Sequence, residues 1–333
     1  MRLVNSDQPP CEQRIYNDVM KSFQDYFGLR ILQAAPIKRG WLNLKWKVET
    51  DSGEYVLKQY NKERYRLYNP SQLSTALSEQ IRLFRQGIAC PQLFTYQDQI
   101  MLESECGEKF VAMQYCKGKL ISPGEANASQ IHDLGRMTGK MHLLLNDGTL
   151  GRGQAPQFIP PSREERLAHW KAVRAEAESS GKTDILEPVE KQLLATESVD
   201  PQRFEGIRQG WAHRDLWADN LLFDDDRLSA ILDFDRLNFD YPWLDVARAV
   251  MSCAFQETLD VSLAAAFLEG YGKECPLQEG LLVRSLELLW YMESAWWIHE
   301  NMDRHSAPPA RFAKEMIWLA GHLGELPLLL ENM

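Results

Sequence analysis

Four polar residues stand in order along a stretch of the sequence that is otherwise rich in Leu, Ile and Phe. They are His213, Asp215, Asn220 and Asp233, in GWAHRDLWADNLLFDDDRLSAILDFDR. A carboxylate can take the proton of an attacking hydroxyl, and a carboxylate together with an amide oxygen can hold a hard cation such as Mg²⁺. A base and a cation together are the groups that phosphoryl transfer requires.

An isolated His-x-Asp triplet is usually turn chemistry, because Asp and Asn hydrogen-bond to their own backbone in loops. Here the triplet is not isolated. The runs NLLFDD and RLSAILDF predict a two-stranded hairpin between Asn220 and Asp233. We expect that hairpin to return the chain so that both residues face one cation, with Asp215 nearby as a base or orienting group.

The first third of the chain is predicted to hold helices and a mainly antiparallel sheet of about five strands. Apolar residues at helical spacing predict one helix over 11–35 and a second over 71–87. The alternating segments NLKWKVET and EYVLKQY, separated by the turn signal DSG, predict a β-hairpin. Three further strands are predicted at LFTYQ, IMLES and KFVAMQYC.

The remaining sequence is predicted to be mainly helical. ASQIHDLGRMTGKMHLLL carries an apolar stripe, and Ser129 is the expected N-cap of that helix. Proline and glycine make 151–162 a loop, charged amphipathic helices follow over 163–198, and several more helices follow over 244–333.

The sequence therefore predicts an α+β fold of two lobes. A small antiparallel-sheet lobe is expected over 1–112 and a hinge over 113–118. A larger helical lobe, which includes the HRD motif, is expected over 119–333.

Composition narrows the class of protein. The chain of 333 residues has 44% hydrophobic and 25% charged residues, as folded soluble domains do. A net charge of −10 argues against a nucleic-acid partner. Six cysteines without a CxxC pair are expected to be reduced thiols, with Cys11 the most exposed. Without a signal-peptide pattern or a run of roughly 20 apolar residues, we expect a cytoplasmic protein with no membrane partner.

The motif H-R-D-x-x-x-x-N followed by D-F resembles the catalytic loop and metal-binding segment of kinases. The sequence after Asp233 lacks the glycine and the A-P-E that protein kinases carry. The motif D-x-P-x-x-D-V-A that follows (Asp240, Pro242, Asp245, Ala247) resembles the corresponding motif of the aminoglycoside phosphotransferase family. That family includes choline, homoserine and related small-molecule kinases. The resemblance implies a protein-kinase-like fold, ATP and Mg²⁺ as cofactors, and a small hydroxyl-bearing acceptor.

The resemblance also implies roles for individual residues. Asp215 resembles the catalytic aspartate, while Asn220 and Asp233 resemble the metal ligands. His213 resembles the residue that braces the catalytic loop, and Asp245 resembles the one that ties this loop to the following helix.

Lys58, in the strand YVLKQY, resembles the family's phosphate-binding lysine, although a strand lysine taken by itself is more often solvent-facing. Glu79 lies in a helix followed by Gly87 and Pro91, where the family places the glutamate of an ion pair. A Lys58–Glu79 pair would orient the ammonium towards the nucleotide phosphates.

Two further nucleotide contacts follow from the same resemblance. Gly40 and Asn43 match a reduced form of the family's glycine-rich loop, although a single glycine before a strand is also an ordinary turn. The segment MQYCKGK resembles the family's linker between lobes. The backbone groups of Gln114 and Cys116 are expected to hydrogen-bond to adenine there.

The acceptor is expected to contact the insertion over 151–205 or the aromatic run LLWYMESAWWIHENM. Trp290, Glu293, Trp297 and Glu300 share one helical face in that run. Aromatic rings beside carboxylates can bind a cation, but such a stripe is also typical of a buried core. Choline-like amines, aminoglycosides, homoserine-like amino alcohols and sugars all remain open as acceptors.

Three functions are compatible with these patterns. The first is an ATP-dependent phosphotransferase that moves the γ-phosphate to a hydroxyl of a small molecule. The second is a catalytically silent binding or structural protein of the same fold, like the relatives in spore coats. The third is a Ser/Thr protein kinase, which the missing activation segment disfavours. Lys58, Asp215, Asn220 and Asp233 together favour the first, because a scaffold needs no metal ligands.

Overall fold

The computed structural model describes residues 10–38, 43–151, 155–305 and 308–330. Its strands are β1 (Ile31–Pro36), β2 (Lys45–Thr50), β3 (Gly53–Gln59), β4 (Leu93–Phe94), β5 (Leu102–Glu103), β6 (Lys109–Gln114), β7 (Gly210–Ala212), β8 (Leu221–Asp224), β9 (Arg227–Ile231) and β10 (Asn238–Asp240).

The helices are α1 (Pro10–Phe27), α2 (Lys62–Tyr65), α3 (Pro70–Arg85), α4 (Ala128–Leu145), α5 (Arg163–Ser179), α6 (Leu186–Ser198), α7 (Pro242–Ala254), α8 (Val261–Gly272), α9 (Leu281–Trp297), α10 (Pro309–His322) and α11 (Leu326–Leu329). The mixture of a small antiparallel sheet and a larger helical part confirms the predicted α+β class. No described helix is long and apolar enough to cross a membrane.

The chain divides into two compact units. The first unit comprises residues up to 118 together with 229–236, and the second comprises 119–228 and 237–333. Residues 229–236 fall within the predicted helical lobe but belong to the first unit. They pack there because the Ile231 N–H donates to the Ala89 carbonyl at 2.7 Å and because Lys58 binds two aspartates of this segment.

The sheet of the first unit has the order β1-β2-β3-β6-β4, and β5 also pairs with β6. All of these pairings are antiparallel. The predicted hairpin is formed by β2 and β3, whose register places Lys45 directly opposite Lys58. Side chains at such opposite positions project from the same face of a sheet, so the two lysines lie side by side.

One predicted helix of the first unit is shorter than expected. A single helix was expected over 11–35, but α1 ends at Phe27, and Gly28 adopts a left-handed φ of +64°. The chain then enters β1, which pairs with β2. Glycine accepts this conformation without the clash that a Cβ would cause, so it ends the helix despite the apolar spacing that continues beyond it.

The core of the first unit lies between α1 and the sheet. Its fully buried members are contributed mainly by α1, β2, β3 and β6: Val19, Met20, Phe23, Trp46, Val48, Leu57, Leu102, Phe110 and Ala112. The amphipathic pattern of α1 and the alternation of the strands supply these side chains, as helical and strand periodicities require. The core thereby fixes the strand that carries Lys58.

In the second unit, α4 packs closely against α8. A Cβ on Gly135 would overlap the carbonyl oxygen of Phe267, so the approach of the two helices requires glycine there. The predicted N-cap of α4 was wrong. Asn127 caps the helix, with its side chain accepting from the Gln130 N–H while the Gln130 side chain accepts from the Asn127 N–H. This reciprocal capping box places the N-cap two residues before Ser129, and α4 begins at Ala128.

Short strands frame the loop that carries the HRD motif. Within the second unit, β7 pairs antiparallel with β10, with Ala212 opposite Asn238. Helix α7 begins directly after β10 at Pro242, a residue suited to the first turn of a helix. Strands β8 and β9 occur where the sequence predicted a hairpin. The polar motif therefore lies on a loop whose preceding and following segments are both in regular structure.

Candidate active site

The catalytic loop follows β7 and brings three of the predicted residues together. The Asp215 N–H donates to His213 Nδ1 at 3.2 Å. The Asn220 side-chain amide donates to Asp215 Oδ2 at 3.0 Å and to the Asp215 carbonyl at 2.9 Å. A 3₁₀ turn over Ala218–Asn220 brings the chain back for these contacts. Asp215 is only half-buried, so its carboxylate is both oriented and reachable.

A fully buried carboxylate fixes the backbone of this loop. Asp245, in the first turn of α7, accepts the N–H groups of His213 at 2.7 Å and Arg214 at 2.8 Å. It also contacts His142 Nε2 at 3.2 Å and the Arg248 guanidinium at 3.3 Å. We call this arrangement the Asp245 anchor. It places the HRD segment against α7, as the resemblance implied for Asp245.

The Asp245 anchor is electrostatically satisfied. Burial alone would raise the pKa of Asp245, but the hydrogen bond from His142 and the nearby Arg248 charge outweigh burial and lower it. A buried carboxylate with a lowered pKa remains ionised at neutral pH. The anchor therefore holds a full negative charge against the backbone N–H groups of the loop.

Two residues of the motif adopt a left-handed backbone conformation that side chains other than glycine rarely accept. Arg214 has a φ of +70° and Asp233 a φ of +63°. Such residues cost about 1–3 kcal/mol each unless the surroundings hold them. Arg214 is held by its hydrogen bond to the Asp240 carboxylate. Asp233 is held by contacts with two lysines. Stored strain at these two positions is typical of a functional site.

In the first unit, two lysines and two aspartates form what we call the charge cluster. Lys58 Nζ lies 2.7 Å from Asp233 Oδ1 and 2.6 Å from Asp235 Oδ2. The Tyr60 hydroxyl donates to Asp235 Oδ1 at 2.9 Å, and Lys45 Nζ lies 3.9 Å from Asp233 Oδ2. Lys58 is 4% exposed, so it is not a solvent-facing strand lysine.

The pKa values in the charge cluster follow from these contacts. Burial would lower the pKa of Lys58, but Asp233 and Asp235 raise it well above its usual value. The pKa of Lys45 is lowered by burial, although Asp233 opposes the shift. The pKa of Asp235 is raised by burial and by the charge of Asp233, against the effect of Lys58. Lys58 therefore stays charged, whereas the ionised form of Asp235 is disfavoured.

The predicted Lys58–Glu79 ion pair is wrong. Glu79 Oε2 accepts instead from Arg82 Nε at 2.7 Å, an i,i+3 contact along α3. The Lys58 ammonium binds Asp233 and Asp235 instead, and both lie in a segment far along the chain. Asp235 was not predicted as a site residue, although its position two residues after Asp233 is a readable signal.

The remaining predicted nucleotide contacts lie at separate points of the first unit. Gly40 lies outside the described residues. The Asn43 side chain accepts from the Asn61 N–H at 3.2 Å. Gln114 ends β6, where its N–H donates to the Gln92 carbonyl at 2.8 Å, and Cys116 follows two residues later. The nucleotide-binding roles of these residues stay predictions.

Of the two interpretations of the aromatic run, a cation-binding face or a buried core, the contacts of α9 favour the core. Trp290 is fully buried and donates to Gln192 Oε1 at 2.6 Å. Glu293 is buried against the Arg248 guanidinium at 2.6 Å. Helix α9 ends at Trp297, so Glu300 lies beyond the helix. The core interpretation is therefore correct for Trp290 and Glu293, because their polar atoms are already bound inside the protein.

The fold is that of the protein-kinase-like phosphotransferases. The chain belongs to the phosphotransferase enzyme family, whose sequence model matches residues 33–282. This match confirms the resemblance to the aminoglycoside phosphotransferases.

Curated relatives and solved structures agree with this assignment. The chain is 28% identical over 239 residues to a homoserine kinase of Granulibacter bethesdensis, covering 71% of this chain and 70% of that protein. It is 24% identical to a homoserine kinase of Paramagnetospirillum magneticum, covering 86% of this chain and 88% of the other.

Among solved structures, a putative aminoglycoside phosphotransferase from Ralstonia eutropha JMP134 aligns with a TM-score of 0.59 at 16% identity, over 93% of this chain and 98% of that one. The ternary complex of streptomycin, ATP and APH(2″)-IIa aligns with a TM-score of 0.55 at 15% identity, over 96% of this chain and 99% of the other. These alignments support the fold. With the family match, this chain is a nucleotide-using phosphotransferase that acts on a hydroxyl of a small molecule.

Proposed function

We propose that the enzyme transfers the γ-phosphate of ATP to the hydroxyl of homoserine or a closely related small compound, with Asp215 as the catalytic base. The observation that carries this proposal is the fixed geometry of the Asp215 carboxylate, with Asn220 at 3.0 Å and the neighbouring backbone held by Asp245. The choice of acceptor is supported by the homoserine kinases that match most of this chain.

In this proposal Asp215 acts on the acceptor. One carboxylate oxygen accepts from the Asn220 amide, which leaves the other for the acceptor hydroxyl. As the hydroxyl oxygen forms its bond to the γ-phosphorus, its proton passes to Asp215 and the bond to the β-phosphate oxygen breaks, releasing ADP. A positioned base of this kind contributes about 10²–10⁴-fold in rate. His213 holds the loop by accepting the Asp215 N–H.

The donor atoms available suit Mg²⁺, which favours oxygen ligands and takes one or two carboxylates together with substrate phosphates. Asp233 supplies a carboxylate, and the Asn220 amide presents its oxygen on the side opposite the nitrogen that binds Asp215. In the described part of the chain no three His, Cys, Asp or Glu side chains are grouped as a metal site, so the phosphates would supply the other ligands. When bound, Mg²⁺ would neutralise charge on the phosphates.

The nucleotide contacts are proposed as follows. Lys58, kept charged by the charge cluster, binds the phosphates, and Asp235 takes the orienting role first assigned to Glu79. Because the Gln114 N–H is bound to Gln92, the Gln114 carbonyl and the Cys116 N–H are the groups proposed for adenine. Gly40 and Asn43 are proposed to cover the phosphates.

Two substitutions test the proposed roles. Asp215→Asn keeps the shape of the side chain but cannot take the proton, so turnover of L-homoserine should fall about 10²–10⁴-fold while Mg·ATP still binds. Asp233→Asn removes a carboxylate from the cation, so Mg²⁺-dependent nucleotide binding should weaken together with turnover. Nucleotide titrations with Mg²⁺ and with chelator, alongside assays on homoserine, choline and an aminoglycoside, measure both effects.

Asp219→Asn is the matched control, since Asp219 lies in the same segment but its side chain is 47% exposed and pairs with Arg311 at 2.9 Å. It should leave turnover unchanged. Loss of Mg·ATP affinity in Asp215→Asn with retention in Asp233→Asn would reverse the two roles. Unchanged turnover in both variants would remove the loop from the active site.

A further inference from the structure

The second unit contains an open pocket of about 300 Å³ that the family assignment does not explain. It is lined by the start of α5, the segment before α5 and the end of α9. Its polar side chains are Glu165, Arg166 and His169, and its apolar wall includes Phe158 and Trp296. A cavity with a few converging polar groups beside aromatic rings is the usual form of a small-molecule site.

Arg166 is the unusual member of this pocket. It is only 7% exposed, and its guanidinium donates to the Tyr291 carbonyl at 2.6 Å. Its Nε is buried and has no hydrogen-bond partner among the described residues. Its other neighbours are aromatic rings, with Tyr291 at 5.5 Å and Trp170 at 6.0 Å from ring centre to guanidinium carbon. A buried cation without an anionic partner carries an uncompensated desolvation cost.

His169 adds a second unsatisfied group one helical turn later. Its Nε2 is buried and has no partner among the described residues. Burial and the neighbouring Arg166 charge lower the pKa of His169 below its usual value, so the ring is neutral at physiological pH. Two buried nitrogens in one pocket, both without partners, indicate that the pocket is built to receive hydrogen-bonding oxygen atoms.

The pocket is connected to the catalytic loop. Gln157, immediately before Phe158, accepts from the Arg214 guanidinium at 3.3 Å. Arg214 in turn directly precedes Asp215 in the sequence. The segment that forms one wall of the pocket is therefore bonded to the residue beside the proposed base.

We propose that this pocket binds the carboxylate of the acceptor, with Arg166 as its counter-ion and His169 as a second hydrogen-bond partner. The inference rests on the proposed function and specifies its substrate class as a small hydroxy amino acid. Glu165, the exposed carboxylate of the pocket, is placed to receive the ammonium of such a zwitterion. Phe158 and Trp296, in edge-to-face contact at 5.4 Å, cover its methylene groups.

The test compares L-homoserine with aminopropanol, which is homoserine without its carboxylate. Arg166→Met removes the charge at similar side-chain length. The ratio of kcat/KM for homoserine to that for aminopropanol should therefore fall about tenfold to a hundredfold, because that is the change expected when one hydrogen bond to a charged group is lost. Arg166→Lys keeps the charge and should restore part of the preference.

Arg163→Gln is a matched control on the same helix. Arg163 also donates to a backbone carbonyl at 2.6 Å, that of Val199, and its Nε also lacks a partner, but it does not line the pocket. Its substitution should leave the preference intact. An equal loss in Arg163→Gln and Arg166→Met would show that general damage to α5 causes the effect.

The inference and the proposed function fail in different ways. Homoserine turnover with an unchanged preference in Arg166→Met would overturn the inference and leave the function standing. If the enzyme phosphorylates none of the acceptors, calorimetric binding of L-homoserine decides the inference alone. Binding that Arg166→Met abolishes would support it, and absent or unaltered binding would overturn it. Should Arg166→Met fail to fold, His169→Phe serves instead, with binding expected to weaken severalfold.

Discussion

Two buried aspartates in this enzyme stand in contrasting surroundings. Asp235, in the charge cluster, accepts hydrogen bonds from two side chains, the Lys58 ammonium and the Tyr60 hydroxyl. Asp245, in the second unit, accepts two backbone N–H groups of the catalytic loop in addition to contacts with His142 and Arg248. One carboxylate therefore positions a side chain, and the other fixes the path of the backbone.

Their pKa values shift in opposite directions. Burial raises the pKa of both, but His142 and Arg248 outweigh burial at Asp245 and lower its pKa. At Asp235 the neighbouring Asp233 charge adds to burial, and Lys58 does not fully compensate because it is shared. Burial alone thus does not decide the state of an acidic group. The charges of the groups around each carboxylate decide it together with burial.

The largest expected effect comes from removing the charge of the Asp245 anchor. Asp245→Asn leaves Arg248 with one carboxylate fewer and offers a single acceptor oxygen to two backbone N–H groups. We expect a loss of about 3–5 kcal/mol in the free energy of unfolding, as for other broken buried ion pairs. Urea denaturation measures it. Asp219→Asn, a control at an ion pair whose carboxylate is 47% exposed, should cost less than about 1 kcal/mol.

A loss below about 1 kcal/mol in Asp245→Asn would show that the backbone of the catalytic loop is held by other contacts. The contrast with Asp235 would then disappear, since neither carboxylate would be needed for the fold.

The second effect is on catalysis rather than folding. Asp235→Asn keeps one acceptor oxygen for Lys58, and its amide nitrogen can donate to the Tyr60 hydroxyl. The amide no longer holds the ammonium by charge, so kcat/KM for ATP should fall about tenfold to a hundredfold. Stability at neutral pH should change by no more than about 1 kcal/mol, because burial and Asp233 already disfavour the charge of Asp235. Steady-state kinetics and denaturation on the same preparation separate the two outcomes.

Glu54→Gln is a suitable control for that measurement, because Glu54 pairs with Lys47 in the same sheet outside the charge cluster. Its kcat/KM should match that of the parent enzyme. Normal kinetics in Asp235→Asn would mean that Asp233 alone orients Lys58.

The third prediction is that Asp235 and Asp245 change the free energy of unfolding with pH in opposite directions. The raised pKa of Asp235 means that the folded state binds its proton more tightly. The parent enzyme should therefore lose stability relative to Asp235→Asn as pH rises from about 3.9, the unfolded value, towards the raised value. The lowered pKa of Asp245 has the reverse effect, and the parent should lose stability relative to Asp245→Asn as pH falls below about 3.9.

Each pH unit within those windows corresponds to about 1.4 kcal/mol. Urea denaturation of the three proteins across the acidic range gives the two difference curves. Curves that slope in the same direction would contradict the opposite environments of the two carboxylates.

The residues of the catalytic loop could be predicted from sequence because their contacts are local. His213, Asp215 and Asn220 lie within one short loop, and a single 3₁₀ turn closes the hydrogen bonds between them. The β2–β3 hairpin was predictable for the same reason, since its turn and its alternation are adjacent in the chain. The extent of α1 was overestimated because apolar spacing continues past the left-handed Gly28.

The partners of Lys58 could not be predicted in this way. Asp233 and Asp235 follow it by 175 and 177 positions, so only the tertiary fold shows that they meet. A helix glutamate was assigned to Lys58 by resemblance, and the assignment failed because a nearer partner on its own helix binds that glutamate. The pocket at Arg166 lies in the two segments predicted to contact the acceptor, 151–205 and the aromatic run. Arg166 itself could not be singled out, since a buried guanidinium without an anionic partner has no signature in the sequence.

The smallest effect is expected at Glu79, the carboxylate that was predicted to pair with Lys58 but lies outside the charge cluster. Glu79 is buried but contacts Arg82 along α3. Glu79→Gln can still accept from Arg82, so we expect the free energy of unfolding to fall by less than about 1 kcal/mol and kcat/KM for ATP to remain at the parent value. Asp235→Asn, assayed in parallel, should show the tenfold or larger loss already described. A loss in Glu79→Gln as large as in Asp235→Asn would mean that Glu79 reaches Lys58 during turnover, and that Asp235 holds the lysine only while the enzyme is empty.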